Sequence, residues 1–455
     1  INVQAGILTA KNIIDASNAQ RNTRVGTNAG NSFDGTNAED NTLIGYDAGT
    51  AITGGDLNTA VGSLALKANT TGTWNTAVGE SALEANTTAH KNTAIGYATL
   101  ENNTTGANNV ALGFNALNDN TTASHNTAVG FDALSVNTTG DTNAAFGSYA
   151  LDANTTGDQN VAVGHNALGA NTTASYNTAV GERAMLLNTT GAQNVAVGRG
   201  ALQANTTASS NIAIGYQALA ANTTGHSNTA VGKGVMAANT TGHSNVAVGQ
   251  AALDANDEGF NNVAVGEDAL GANTTADYNT AVGRNALSTV TTQGQLTALG
   301  ASALGSNTTG SANVAVGYYA LYTNTTGSDN TSIGLSSLYN NSTGSRNTVV
   351  GRSAANTNTT GDRNTAIGYY ALNANSTGGY NVALGDSALY ASTTGSNNTA
   401  VGNSALVSNT TGETNTAVGK DALDANTTGD SNTAIGMQAL SSSTTASDNL
   451  SLIHI

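Results

Sequence analysis

The sequence has no cysteine and no proline, and only 9% of its residues are charged. The absence of cysteine excludes a disulfide framework, but it leaves an extracellular location open, because the neighbours in a repeat array hold one another in place. The 13 Lys and Arg residues stand against 29 Asp and Glu, which gives a formal net charge of -16. A chain without a basic groove for phosphates is not expected to bind nucleic acid. No apolar stretch is long enough to cross a bilayer, so no membrane segment is expected within it.

Glycine, asparagine, threonine and alanine dominate what is present, with 54 Gly in 455 residues. High polarity with little charge is usually typical of low-complexity disorder. A disordered chain has no need for Leu and Val at fixed intervals, and here both residues recur regularly. The periodicity therefore predicts an ordered repeat protein.

A glycine that closes the motif Asn-Thr-Ala-Val-Gly defines position 1 of each repeat. It recurs with a strict 17-residue period from Gly45 to Gly436, which makes 23 intervals without insertion or deletion. Stacked coils require such constancy, because one extra residue would shift every contact that follows. Gly26 and Gly45 are separated by a longer, 19-residue interval. We therefore interpret residues 1–44 as degenerate N-terminal coils and residues 45–449 as the regular solenoid.

Positions 15 to 17 carry the strand signal. Position 17 is always Val, Ile, Leu or Phe, position 16 is nearly always Ala, and position 5 is Leu in 20 of 24 repeats. Glycine at position 1 and the Asn-Thr-Thr segment would interrupt a helix in every repeat. The pattern predicts an all-β fold, a parallel β-solenoid of 17-residue coils, with Leu at position 5 and Val at position 17 forming inner columns.

Asparagine recurs at two positions. Positions 8 to 11 read Asn-Thr-Thr-Gly or Asn-Thr-Thr-Ala and favour a turn. Position 14 is Asn in 23 of 24 repeats and fails only at Leu296. Stacked coils would align these amides into ladders, with neighbours ~4.8 Å apart. The coil from Gly283, with Val290 and Leu296 in place of both asparagines, is expected to be irregular.

The last six residues, 450–455, leave the repeat pattern, with Ile453 where earlier repeats have Gly. They resemble the translation of a transposon end used in sequencing libraries. We interpret 450–455 as a sequencing-adapter artefact and expect any signal, anchor or chaperone segment to lie outside this fragment.

Each coil offers one Leu, one β-branched residue and several Ala, which makes a thin core. Burial of a Leu or Val contributes roughly 1.5 to 3 kcal/mol, against roughly 1 to 2 kcal/mol of backbone ordering per residue. Association along the rod axis would bury more apolar surface. We therefore predict a homotrimer. Charged and aromatic residues fall mostly at positions 2, 3, 6, 12 and 13, which we expect to face solvent.

The motif Asn-x-Ala-Val-Gly, as at 160–164 and 211–215, resembles the head repeats of trimeric autotransporter adhesins and the repeats of tail-fibre-like proteins of phages and marine microbes. The resemblance covers about residues 22–449. It implies a left-handed parallel β-roll, trimerisation and attachment to a host-surface protein or glycan, from a cell surface or a virion. Adhesin heads typically have shorter coils without the Asn-Thr-Thr-Gly turn, so no ligand residues are carried over.

No catalytic, cofactor-binding or metal-binding residues are predicted. The histidines His90, His125, His165, His226 and His243 are single residues in variable positions. His226 and His243 share position 12 in adjacent coils, but no carboxylate ladder accompanies them. Asp254, Asp257 and Glu258 cluster in one turn without the glycine-rich nonapeptide of calcium-binding rolls. The acidic residues are scattered, so the sequence does not predict an enzyme.

The Asn-Thr-Thr turn leaves two other hypotheses open. It is an N-glycosylation acceptor, so a glycosylating host would add a column of sugars. Stacked threonines at positions 9 and 10 would form hydroxyl ladders like those of ice-binding solenoids. Our expectation is an extracellular structural or adhesive fibre segment. The alternatives are a phage or viral tail-fibre shaft and an ice- or glycan-binding solenoid.

Overall fold

The computed structural model describes residues 20–33 and 37–452. Throughout these residues the chain is all-β, without a helix, and winds as a parallel β-solenoid of about 25 turns of roughly 17 residues. It divides into two units, Ile1–His226 and Ser227–Ile455. Of the predicted degenerate coils in 1–44, residues 1–19 and 34–36 lie outside the described part. The same holds for 453–455 of the predicted artefact, while Leu450–Ser451 forms a strand.

The first unit contributes twelve short strands among its described residues. They are β1 (Thr23–Val25), β2 (Thr42–Ile44), β3 (Thr59–Val61), β4 (Thr76–Val78), β5 (Thr93–Ile95), β6 (Val110–Leu112), β7 (Thr127–Val129), β8 (Ala144–Phe146), β9 (Val161–Val163), β10 (Thr178–Val180), β11 (Val195–Val197) and β12 (Ile212–Ile214). Each covers positions 15 to 17, so the predicted strands are in place and are three residues long.

The second unit contributes fourteen strands in its described part. They are β13 (Thr229–Val231), β14 (Val246–Val248), β15 (Val263–Val265), β16 (Thr280–Val282), β17 (Thr297–Leu299), β18 (Val314–Val316), β19 (Thr331–Ile333), β20 (Thr348–Val350), β21 (Thr365–Ile367), β22 (Val382–Leu384), β23 (Thr399–Val401), β24 (Thr416–Val418), β25 (Thr433–Ile435) and β26 (Leu450–Ser451).

Within each unit every strand pairs in parallel with the next, in a register set by the repeat. Ala60 lies opposite Ala77, for example, one repeat further on. The 19-residue interval is also absorbed, because Thr23 lies opposite Thr42. Outside the strands the backbone bonds continue, as from the Thr70 amide to the Thr87 carbonyl at 2.8 Å. The predicted in-register stacking of coils is therefore confirmed.

The core consists of small residues and, in most coils, one leucine. Leu66 at position 5, Ala65 at position 4 and Ala60 at position 16 are fully buried, and their equivalents repeat this along both units. The predicted inner column of Leu at position 5 is therefore confirmed.

The predicted inner column at position 17 is wrong. Val163, Leu112 and Phe146 remain 38%, 44% and 42% exposed. Successive residues of a strand point to opposite faces, so the buried alanine at position 16 forces positions 15 and 17 outward. The interior next to the strand accepts only alanine-sized side chains in most coils, and the larger residues face out.

Two exceptions to the alanine at position 16 are matched by changes six residues later, at position 5. Leu43 is followed by Gly49, where an added Cβ would come within 2.8 Å of a Leu43 methyl. Val349 is followed by Ala355, and both are buried. Because the core is close-packed, a large residue at one position requires a small one at the other. This explains two of the four departures from leucine at position 5.

The predicted asparagine ladders are present and buried. At position 8, the Asn86 amide nitrogen donates to Oδ1 of Asn69 in the preceding coil at 2.8 Å. At position 14, the Asn58 side chain donates to the Gly72 carbonyl at 2.9 Å, and its Oδ1 accepts from the Asn75 backbone N–H at 3.0 Å. Buried amides are tolerated because these bonds satisfy them.

Three breaks in the position-8 ladder leave orphaned oxygens. Val290, Ser392 and Ser443 replace asparagine, and the Oδ1 atom of the asparagine one coil earlier then has no hydrogen-bond partner: Asn273, Asn375 and Asn426. The predicted irregularity of the coil from Gly283 is thus a chemical break in the ladder, while the strand register continues from Ala281 to Ala298.

The glycine of position 1 is a steric requirement. Gly62 has φ +143°, and an added Cβ would overlap the carbonyl oxygen of Gly79 in the next coil. The same geometry recurs at Gly79 against Gly96. Any side chain at position 1 would therefore push the coils apart.

Candidate functional site: the exposed face of the β-sheet

The outward face of the sheet carries two parallel rows of side chains, at positions 15 and 17. Position 17 is apolar in every coil from Ile44 to Ile435, and position 15 is Thr, Val or Ile, with Ala144 as the exception. We call positions 15 and 17 of β2–β12 and of β13–β25 the sheet face of the respective unit. Strand pairing places equivalent residues one strand spacing apart, ~4.8 Å.

The sheet face contains no charged residue from β2 to β25. All the charged residues of these coils therefore lie on the turns. Monomeric proteins rarely expose contiguous apolar patches above a few hundred Å². A continuous uncharged rank of Val, Ile, Leu and Phe is typical of a surface that becomes buried on association.

An aromatic ladder borders this face in the first unit, at positions 2 and 3. The rings of Tyr97 and Phe114 stack with centroids 5.1 Å apart, and Phe114 and Phe131 stack at 5.2 Å. Tyr149 continues the row edge-on at 5.4 Å, and His165 meets it at 6.0 Å. His165, predicted as an isolated residue in a variable position, is thus the end of an aromatic row. Stacking covers the faces of these rings, while their edges remain exposed. The row of rings therefore adds to the apolar surface of the sheet face.

Side chains at position 12, which were expected to face solvent, also connect neighbouring coils. The backbone N–H at position 12 of one coil donates to the side chain at position 12 of the next, as from Asp141 to Asp158 Oδ1 at 2.8 Å. His90 fills the same role, with its Nδ1 accepting from the Thr73 N–H at 2.9 Å. This hydrogen bond gives His90 a structural role in holding neighbouring coils together.

Among the described residues, no group of three or more His, Cys, Asp and Glu side chains could hold a metal ion. His226 lies in the first unit. His243 lies in the second, where it stacks on Phe260 at 5.0 Å. His125 lies 3.4 Å from the Asn108 side chain of the previous coil.

The acidic turn residues Asp254, Asp257 and Glu258 have different surroundings. Asp257 accepts a hydrogen bond from the Thr240 hydroxyl, Glu258 is exposed, and Asp254 is partly buried at position 6. Burial raises the pKa of Asp254 above its ordinary value, and nearby Asp268 adds to the rise. Asp152 shows the same rise in pKa from burial, with a contribution from Asp132. The three clustered residues do not converge on one point.

The Asn-Thr-Thr turn is largely used inside the fold. Asn69 is fully buried, and the Thr70 hydroxyl donates to the Thr87 carbonyl at 3.0 Å, a bond repeated in most coils. In most coils only the threonine at position 10, such as Thr71, is exposed. A sugar on Asn69 would require that side chain to leave the ladder, and the position-9 hydroxyls are already engaged with the next coil.

No family model and no curated protein matches this chain. The described residues contain no helix that could span a membrane. The candidate site therefore rests on the geometry of the sheet face and on the repeat itself.

Proposed function

We propose that this chain is a structural and adhesive fibre segment that assembles as a homotrimer through its sheet face and attaches a cell or virion to a surface. The supporting observation is the uncharged sheet face, in which position 17 is apolar in every coil. The head repeats of trimeric autotransporter adhesins, which the motif resembles, lead to the same proposal.

Covering the sheet face would remove apolar surface from water and so offset the cost of association. Val163 and Val197 are 38% and 36% exposed, and burying such a residual surface contributes about 1 kcal/mol per side chain. Summed over the strands of one unit, this reaches on the order of 10 kcal/mol. That sum is comparable to the cost of association in lost translational and rotational freedom, roughly 4 to roughly 15 kcal/mol.

Another copy of the same chain is the partner that fits best. Its side chains recur with the same rise per coil, so contacts made in one coil repeat in the next along the whole interface. A partner with a different period would fall out of register after a few coils. Because the face is uncharged, no ion pair is needed to fix the contact.

The attachment function belongs to the surfaces that the assembly leaves open. These are the turns, where sequence varies most from coil to coil, at positions 2, 3, 6, 12 and 13. Variable residues on a rigid scaffold are typical of binding surfaces. A host-surface protein or glycan is the proposed partner, in an extracellular setting.

The test of assembly is the oligomeric state of charged variants, measured by light scattering after size exclusion and by native mass spectrometry. The triple variant Val129→Lys, Val163→Lys, Val197→Lys places three cations on the sheet face of the first unit. We expect the parent chain to be a trimer and the variant to dissociate while keeping its β circular dichroism.

The matched control places the same charges on exposed turn threonines, Thr139→Lys, Thr173→Lys and Thr207→Lys, and is expected to remain trimeric. A parent chain that stays monomeric at high concentration would contradict self-assembly, and a dimer would contradict the trimer. For attachment, beads coated with the parent chain are tested against immobilised glycans and matrix proteins. Binding no better than that of uncoated beads would contradict the adhesive part.

A further inference from the structure

Tyrosine is concentrated in one stretch of the second unit. Of the 14 tyrosines, eight lie between Tyr318 and Tyr390. Four of them form what we call the tyrosine cluster: Tyr318, Tyr319, Tyr322 and Tyr339. They occupy positions 2, 3 and 6 of two successive coils, where the first unit more often carries charge.

The 17-residue repeat brings these tyrosines together. Tyr322 and Tyr339 share position 6 of adjacent coils, and their rings stack with centroids 5.4 Å apart and 24° between planes. Tyr319 lies 4.9 Å from Tyr322 and 5.8 Å from Tyr339, both edge-on. The preceding coil has Gly305 at position 6, where a Cβ would come within 2.9 Å of the Tyr322 ring. The glycine therefore makes room for this ring.

Both rings of the stacked pair are partly exposed. A small oxidant can thus reach them, and partly exposed side chains reorient on fast timescales. The pair joins two coils that have no covalent link other than the chain itself. Since the sequence has no cysteine, a disulfide cannot supply one.

We propose that Tyr322 and Tyr339 form an oxidative cross-linking site that yields a carbon–carbon dityrosine bond between adjacent coils. A one-electron oxidant, such as a haem peroxidase supplied with hydrogen peroxide, removes one electron and one proton from each phenol. The two phenoxyl radicals couple at the ring carbons next to the hydroxyls. Each coupled carbon then loses its hydrogen as a proton, which returns to a phenol oxygen.

The reaction balances as two tyrosines and one hydrogen peroxide giving one dityrosine and two waters. Coupling within the pair is favoured because the fold holds the two rings in contact, which raises their effective concentration far above that of separate chains. The product closes a loop between residues 322 and 339. Such a link removes conformational entropy from the unfolded chain and so stabilises the fold.

The experiment treats the full chain at low concentration with a haem peroxidase and hydrogen peroxide. Dityrosine fluorescence is followed, and a tryptic digest is analysed by mass spectrometry. The peptide 285–346 contains all four tyrosines of the cluster and no others. We expect this peptide to lose two hydrogens, with fragment ions joining residues 322 and 339, and the unfolding midpoint of the oxidised chain to rise.

The variants Tyr322→Phe and Tyr339→Phe keep the stacked rings but lack one phenol, and each is expected to abolish the cross-link and the rise in the midpoint. Tyr216→Phe, an exposed tyrosine of the first unit, is the matched control and is expected to change neither. The proposal is overturned if dityrosine forms only between chains, if the bond joins Tyr319 instead, or if either variant retains the 285–346 cross-link.

Discussion

At the scale of single residues, the buried amides hold this protein together. Most position-8 asparagines donate to the asparagine of the previous coil and to the carbonyl at position 11 of their own coil, as Asn103 does to Asn86 at 3.0 Å and to Gly106 at 3.0 Å. A buried polar atom without a partner carries its full desolvation cost, about 1 to 3 kcal/mol. Replacing one asparagine of the ladder therefore destabilises the fold by more than the loss of its own hydrogen bonds, because it also leaves the Oδ1 atom of the preceding asparagine without a partner.

Ser392→Asn should repair such a break. Asn375 Oδ1 and Ser392 Oγ are both buried without a partner, and Asn409 donates only to Gly412 at 3.0 Å. The new amide would donate to Asn375 and accept from Asn409. We expect the free energy of unfolding to rise by about 1 to 3 kcal/mol, as measured by denaturant titration.

The control for this repair is Ser408→Asn, a half-buried position 7 outside both ladders, which should change stability by less than about 0.5 kcal/mol. An unchanged or lower stability of Ser392→Asn would mean that the neighbouring asparagines have no energetic need for the missing amide.

At the scale of the strand and the turn that follows it, packing couples position 16 to positions 4 and 5. Leu43 with Gly49 and Val349 with Ala355 keep the summed volume close to that of the usual Ala and Leu. In another coil Ser332 replaces the inner alanine at position 16, and its hydroxyl lies 2.6 Å from that of the buried Ser337, five residues later. Substitutions in the core are thus tolerated when a neighbour five or six residues away changes with them.

A double-mutant cycle tests this coupling. Ala355→Leu alone should destabilise the chain by about 1 to 3 kcal/mol through overpacking against Val349. Val349→Ala alone should also destabilise it by leaving a cavity. The double variant restores the usual Ala and Leu pair and should recover most of both losses, a favourable coupling of about 0.5 to 3 kcal/mol.

The free energies of unfolding of the four proteins provide the measurement. Strict additivity of the two single losses would contradict the coupling. As a control outside the pair, Ala366→Val, at position 16 of the next coil where position 5 is not small, should destabilise the chain with no rescue from Ala355→Leu.

At the scale of the whole molecule, each coil contacts mainly the coils beside it, so stability is expected to be a sum of local terms. Equivalent strand pairings in both units support this, since Ala162 with Ala179 and Ala383 with Ala400 have the same register. The length of the repeat, more than the identity of any one coil, should then decide whether the chain folds.

Deleting one complete coil, residues 164–180, should leave a folded protein. The new junction joins Val163 to Gly181, a natural sequence of positions 17 and 1. Deleting residues 164–172 instead displaces positions 10 to 17 of that coil relative to their neighbours and should disrupt local stacking. Circular dichroism and thermal unfolding would report both effects. Equal loss of structure in the two deletions would contradict coil modularity.

The sequence alone determined the fold class, the strand positions and the asparagine ladders. Each of these follows from a constant 17-residue period that only stacked coils explain. The steric reason for glycine at position 1 came from the structure, because the coils approach too closely there for any Cβ.

Only the tertiary structure decided which way the strand faces. Hydrophobicity indicated that Val at position 17 should lie inside, but the narrow interior beside the strand admits Ala60 and excludes Val61. The available signal was size: position 16 is almost always small, whereas position 17 varies from Val to Phe, as a surface allows. The sequence also could not reveal the volume pairing of Val349 with Ala355, because that constraint arises from side chains that meet only when the coil closes.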